Sequence, residues 1–296
     1  MALADFIPTI WAALYTTKLR ESLVWGMRCN RSYEGEIRMA GDTVKIPTGT
    51  SNVAIGDYTE NTDIAQATFA NGTTTDLNVD KQKYFHFYVD DIHRTQTRPD
   101  IMAEIMRESA FQMAKQMDED ARTEFNTAYD ASRSVRVTDD LTATDVTQKI
   151  FRAFVKTKNE MNKIFLPQEM RWAVVHPDLI SILDDFFVVK GNSNIWFPVS
   201  SESTLRNGFA GRLLGFDLYV TTLVPELTVS SKDYWRYFCG QGMEAVTMAE
   251  QIVEIESYRP QRRFGDAVKG LNVYGHKAVL PTRLFTIEMQ KGIITA

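Results

Sequence analysis

The chain has 296 residues, 44% hydrophobic and 24% charged, with a net charge of −5 and a pI of about 5.5. This composition excludes disordered and fibrous classes, and the acidic balance excludes a chain-wide basic footprint for binding nucleic acid. Cys29 and Cys239 are the only cysteines, which excludes a disulfide framework and points to a reducing compartment, and no apolar run approaches the roughly 20 residues of a membrane span.

At about 150 residues per domain the length predicts two lobes. The opening MALADFIPTIWAALYTTKLR lacks a basic n-region and a small-residue cleavage site, so it does not read as a secretory signal. Ile10, Trp11, Leu14 and Leu23 recur behind Pro8 at near-helical spacing and predict a packed helix over residues 7–24. In YEGEIRMAGDTVKIP, Gly35 and Gly41 punctuate the chain, and Val44, Ile46 and Pro47 predict a short strand. Residues 48–80 are rich in Thr, Asn, Asp and Gly, carry a turn signal at Asn71 and Gly72, and hold too few large apolar groups for a core of their own. In KYFHFYVDDI, Phe85, Phe87 and Val89 alternate with Tyr84, His86 and Tyr88, the pattern of a strand with two usable faces. Together these segments predict a long projecting hairpin, suited to lying on a neighbouring copy where its edge hydrogen bonds find partners.

Pro99 and Asp100 open the clearest helix. Met102, Met106, Ala110, Met113, Met117, Ala121, Phe125 and Ala128 form one stripe at spacings of three and four, running to about residue 131. That is about 50 Å, longer than a small domain is wide. Its methionines read as a core seam, since thioethers fill irregular gaps. A second helix over 144–164 places Val146, Ile150, Phe154, Met161 and Phe165 on its apolar face and ends at Pro167. RWAVVHPDLISILDDFF predicts a buried strand at 172–175, turning at His176 and Pro177 into a short helix, an α/β unit. Residues 190–207 read as a loop whose Trp196 and Phe197 rest on another surface. Strands follow at 216–222, 234–239, 252–258, 271–274 and 284–289. In the third of these, Val253 and Ile255 share a face opposite Glu254 and Glu256.

Chemistry is sparse. Gly240, Gly242 and Ala245 in GQGMEA match a relaxed dinucleotide loop after a predicted strand, but the sequence beyond turns strand-like where that loop needs a helix. His86, His93, His176 and His276 have no metal-ligand spacing, and no nucleophile elbow accompanies them. The pairs Asp90 and Asp91, Asp139 and Asp140, and Asp184 and Asp185 are sequence neighbours that read as solvated surface, and adjacent positions on a helix do not face each other. Arg259, Arg262 and Arg263 in YRPQRRFGD form the sharpest charge cluster, on a turn beside Asp266, and favour carboxylates of a neighbouring copy over phosphate. No catalytic residue, cofactor or metal is expected, and the chain reads as no enzyme.

The opening IPTIWAALYTTKLRESLVW, then YEGEIRMAGDTVKIP, the helix beginning near RPDIMAEI, GRLLGFDLYVTTLVP, and the close RRFGDAVKGLNVYGHKAVLPTRLF, in that order, resemble the major capsid protein of tailed bacteriophages, the Hong Kong 97-type fold. The resemblance implies an α+β chain with an N-arm (1–30), an extended hairpin loop with flanking strands (31–92), the spine helix of a peripheral domain (93–139), an α/β axial domain (140–243) and return strands of the peripheral domain (244–296). It implies self-assembly through pentamers and hexamers into an icosahedral head around double-stranded DNA, the extended loop overlapping the next subunit. Candidate contact residues are Asp57, Tyr58, Phe69, Lys81 and Lys83 on the loop, Trp196 and Phe197 in the axial domain, and Arg259, Arg262, Arg263 and Phe264 on the late turn.

Because the arm motif begins close to Met1, a separate scaffolding protein is expected, with a portal, a decoration protein and packaged DNA as further partners, no membrane, and assembly in the host cytoplasm. Some members join a loop Lys to an Asn; Lys81, Lys83 and Asn272 are present, but that chemistry is not assigned. The alternatives are an encapsulin-type nanocompartment shell and, from another class, a soluble α/β nucleotide-binding enzyme using GQGMEA.

Overall fold

The computed structural model describes residues 23–34, 43–51, 57–60, 63, 71–90, 101–137, 143–190, 196–198, 209–262 and 264–291. Its longest helix, α1 (Ile101–Thr127), contains neither Gly nor Pro, and Glu104 stands near the positive end of its dipole. Met106, Ala110, Met113, Met117, Ala121 and Phe125 are all buried. The apolar stripe is therefore the seam along which the helix packs, over about 30 Å of its length.

Against that seam lies a three-stranded antiparallel sheet in the order β11 (Val246–Tyr258), β12 (Gly265–Ala278), β3 (Lys81–Asp90). Phe85, Phe87, Met248, Val268 and Tyr274 belong to the core it shares with α1. The register of β11 skips one residue between Ile252 and Glu254, a bulge that interrupts the simple alternation expected over 252–258. The projecting hairpin is β1 (Thr43–Ser51) with β2 (Asn71–Asn78). Only its base is apolar: Val44, Ile46, Leu77 and Val79 pack on Ala249 and Val273.

Two expectations about this arm are corrected. Asn71 and Gly72 make no turn but start β2, opposite Ser51 and Thr50. Strand β3 leaves the hairpin and pairs with β12 over its whole length, because Phe85 and Phe87 bury one face only against α1.

The second layer is an eight-stranded sheet in the order β4 (Ser134–Val137), β13 (Leu284–Gln290), β10 (Lys232–Gln241), β5 (Arg171–Val175), β8 (Phe216–Val220), β7 (Phe209–Leu213), β6 (Trp196–Pro198), with β9 (Glu226–Val229) also on β10. Helices α2 (Ala143–Lys163) and α3 (Pro177–Lys190) supply Ile150, Phe154, Met161, Leu179 and Leu183 to the core on one face. The other face, through Trp172, Val174 and Phe238, shares a core with Trp25 and Phe125. Strand β5 is buried at every position, the mark of a central strand covered on both faces.

β4 and β13 both lie in this sheet, pairing in parallel. Six of the seven residues of β13 are buried, so it needs cover on both faces, and the 3-10 turn Pro281–Arg283 carries the chain across. The loop expected over 190–207 contains an edge strand, with Trp196 opposite Leu213 and Phe197 opposite Arg212. Phe165 is not on the buried face of α2: it follows the helix and is 94% exposed. Phe69, Arg263, His93 and residues 7–22 of the helix expected over 7–24 lie outside the described residues, while Leu23 and Val24 are not helical.

Candidate assembly surfaces

The root of the N-terminal segment wedges between the two layers. Trp25 is fully buried, its ring 5.2 Å from Phe125 and 5.7 Å from Phe238, and its Nε1 donates to Leu223 O at 2.9 Å. Asp118 of α1 holds it there: one carboxylate oxygen accepts the Val24 N–H at 2.7 Å and the other the Gly26 N–H at 3.0 Å. Burial pushes the Asp118 carboxyl up to about 6, against the lowering pull of those N–H groups. Asn30 then bridges to β11, donating to Val246 O at 2.8 Å and accepting from Met248 N at 2.9 Å.

A second joint ties the end of α1 to the eight-stranded sheet. Glu288 on β13 is wholly buried. One oxygen accepts from Arg236 Nη2 at 3.0 Å and from the Tyr129 hydroxyl at 3.2 Å, the other from Arg136 Nε at 2.7 Å. Arg236 also donates to Asn126 Oδ1 at 2.7 Å and stacks 3.7 Å over the Tyr129 ring. Such a pair holds two elements in one geometry, and removing one partner leaves an uncompensated buried charge.

The candidate contact residues fall in separate places. Asp57 and Tyr58 are exposed on the arm, Tyr58 at 74%. Lys81 and Lys83 lie on β3, an end strand of its sheet; Lys81 reaches Asp120 at 3.4 Å, and Lys83 stands opposite Asn272. Asn272 is buried, its amide nitrogen donating to Glu250 at 3.1 Å. Trp196 and Phe197 mark the far edge of the other sheet. Arg259, Arg262 and Phe264 come together at the tip between β11 and β12; Phe264 is 82% exposed while its carbonyl accepts from the Tyr88 hydroxyl at 2.6 Å. Beside the tip, Tyr84, His86, Tyr258, Lys269 and Leu271 line an open groove of about 470 Å³.

The sequence reading missed Ile164, Met170 and Met243, which are exposed apolar groups, and it placed Phe165 among buried ones. Pro167 two residues after Phe165 was the signal that the helix had already ended.

GQGMEA is not a phosphate loop. Gly240 lies inside β10, where the Trp172 indole occupies the space a side chain would take; Gly242 turns the chain with φ 63°; Ala245 is buried, and β11 follows instead of a helix. His86 stacks on Tyr258 and His176 on Trp235, while burial holds His276 down to about 3. Among the described residues no group of His, Cys, Asp and Glu is placed to hold a metal, and no helix is long and apolar enough to cross a membrane.

Residues 71–287 match the family model for phage capsid protein. No curated protein matches the sequence. Among solved structures, the chain is similar to one from Mycobacterium phage Che8, at 23% identity and TM-score 0.63 over 90% of each chain. It is also similar to the capsid of cyanophage P-SCSP1u, at 11% identity and TM-score 0.65 over 88% of this chain and 86% of the other. The SrpI encapsulin of Synechococcus elongatus is a weaker match, at 10% identity and TM-score 0.52 over 85% and 83%.

Proposed function

Because this chain belongs to the phage capsid protein family, a major capsid protein with the Hong Kong 97-type α+β fold, we propose that it builds the phage head through pentamers and hexamers. The family match over residues 71–287 carries this reading. The head encloses double-stranded DNA without sequence-specific binding, consistent with a net charge of −5. The described architecture suits a shell tile. A rigid two-layer body is locked at the Trp25 and Glu288 joints, and from it extends an arm whose distal residues 57–60 are all exposed.

Among the described residues the arm buries apolar side chains only at its base, and a two-stranded ribbon of this kind is marginal alone, so a neighbouring copy supplies its missing support. Asp57, Tyr58, Phe69, Lys81 and Lys83 would make that overlap, the tip with Arg259, Arg262, Arg263 and Phe264 would meet a further copy, and Trp196 with Phe197 would face the capsomer ring. Head-to-tail contacts of this kind close into rings. A scaffolding protein, a portal and a decoration protein complete the assembly in the host cytoplasm. The encapsulin reading is disfavoured, since the family model is that of phage capsids and the encapsulin likeness is the weaker one.

The deciding experiment expresses the chain alone and with a candidate scaffolding protein, and examines the product by sedimentation and negative-stain electron microscopy. Capsomer rings or closed shells are expected, more completely closed with the scaffold. A monodisperse dimer or tetramer under every condition would overturn the reading.

A further inference from the structure

The loop joining α2 to β5 presents large apolar side chains to solvent and is built to keep them there. Helix α2 ends in a Schellman arrangement: the Leu166 N–H donates to Met161 O at 3.1 Å, and the Phe165 N–H to Asn162 O at 3.0 Å. The left-handed residue of that motif is ordinarily glycine, because a side chain crowds the backbone there. Here it is Phe165, with φ 58° and 94% exposure. Met170 repeats the pattern at the other end of the loop, with φ 54° and 62% exposure.

The loop is clamped from beneath. Arg171 is buried, and its guanidinium donates to Pro167 O at 2.9 Å, Leu166 O at 2.8 Å and Asn162 Oδ1 at 2.7 Å. The Gly242 N–H fastens Met170 O at 3.1 Å. Ile164 and Met243 are also exposed, and Lys163, Gln168, Glu169 and Glu244 are exposed polar residues of the same two segments. Left-handed phenylalanine carries backbone strain, and its exposed ring gains nothing from the fold in return. Strain held in place by surrounding bonds marks a position that something else uses.

We propose that this loop is a contact by which one copy of the chain grips a second copy in the shell, Phe165 and Met170 being the inserted side chains. The inference rests on the reading of the chain as a shell subunit, which makes a second copy the partner. An apolar centre with a polar rim is the anatomy of a protein interface. The rim carries both signs of charge, which suits a protein surface and not a polyanion or an anionic membrane. A clamped loop also loses little freedom on docking, and the groove beside Tyr84, Tyr258 and Leu271 gives a second copy an apolar surface to offer.

The test uses the full chain and its assembled particles. Cys29 and Cys239 are both buried and free, so in Phe165→Cys the new thiol is the one that a maleimide reads. Labelling is expected to be fast in unassembled subunits and at least about tenfold slower in closed shells, the protection that a dry interface core gives. Should Phe165→Cys itself block assembly, Met170→Cys carries the same readout. Phe165→Gly removes the ring and the strain together. Its unassembled subunit should melt about 2 °C higher, while the yield of closed shells at equal protein concentration falls sharply. Shells that label as fast as free subunits, or a Phe165→Gly chain that assembles as well as wild type, would overturn the contact alone. A wild-type chain that forms no particles would sink the shell reading and this contact with it.

Discussion

Gly240→Ala tests how tightly the eight-stranded sheet is packed where β10 passes β5. A Cβ at that position would stand 2.5 Å from Trp172 Cζ2 and 2.7 Å from Cε2, where unstrained carbons sit about 3.5 to 4.0 Å apart. The indole cannot step aside cheaply. It is 2% exposed, its Nε1 donates to Gly242 O at 2.6 Å, and it meets the Phe125 ring edge-on at 5.9 Å. Overpacking a buried site costs about 1 to 3 kcal/mol, and a strained or broken hydrogen bond adds about 1 kcal/mol. Ala is the better strand former by about 0.5 to 1 kcal/mol. The net expectation is a loss of about 2 to 3 kcal/mol, a drop of about 1 to 1.5 M in the urea midpoint at an m-value near 2 kcal/mol per molar.

Urea unfolding of the unassembled subunit, followed by tryptophan fluorescence, reads that shift. Trp172→Phe removes the atoms in conflict, so the double variant should be at least about 1 kcal/mol more stable than the sum of the single losses. An unchanged midpoint in Gly240→Ala, or strict additivity in the double variant, would refute this account of the packing.

Other outcomes follow from the same contacts. His276 is buried and held neutral, its folded value near 3 lying below the ordinary 6.5. Its contribution is therefore full above pH 6.5 and is lost as pH falls toward 3; by pH 5 the loss is about 2 kcal/mol, so comparing urea midpoints at pH 7.5 and 5 should show a smaller decline in His276→Gln than in wild type. Glu288→Ala strands Arg236 and Arg136 and should cost about 3 to 5 kcal/mol, read by the same titration; a loss under 1 kcal/mol would show the cluster to be incidental. Trp25→Ala should cost about 3 to 5 kcal/mol, and calorimetry showing no loss of stability would mean that the wedge is not part of the cooperative unit. Arg262→Glu and Tyr58→Ser, at exposed positions, should leave subunit stability within about 0.5 kcal/mol yet lower shell yield in sedimentation, and unimpaired assembly in both would remove them from the contact set.

The parts legible in the sequence are those where one face of one element decides burial. The stripe from Met106 to Phe125 is buried as its spacing requires, and Trp172, Val174 and Val175 announce a central strand by their unbroken apolar run. What was not legible depends on partners distant in the chain. Nothing local to Lys81–Asp90 says that it pairs with β12 and not with β2, and the short strand Glu226–Val229 shows only alternate, partial burial. The Arg171 clamp was invisible for the same reason: its acceptors are mostly backbone carbonyls, which leave no trace in side-chain identity. Phe165 failed differently, because counting by three and four carried the apolar face of the helix on to the very residue at which the backbone turns left-handed.

The position of Trp25 also sets an order of events while the chain is being made. Its indole waits for Leu223, 198 residues downstream, and Asn30 waits for Val246 and Met248. At about 5 to 20 residues per second, roughly 10 to 40 seconds pass between the emergence of this root and that of the groups that receive it. A nascent chain thus carries its early apolar residues unhoused for most of its synthesis. The root of the chain cannot take its final place until residues as far as Met248 have been delivered.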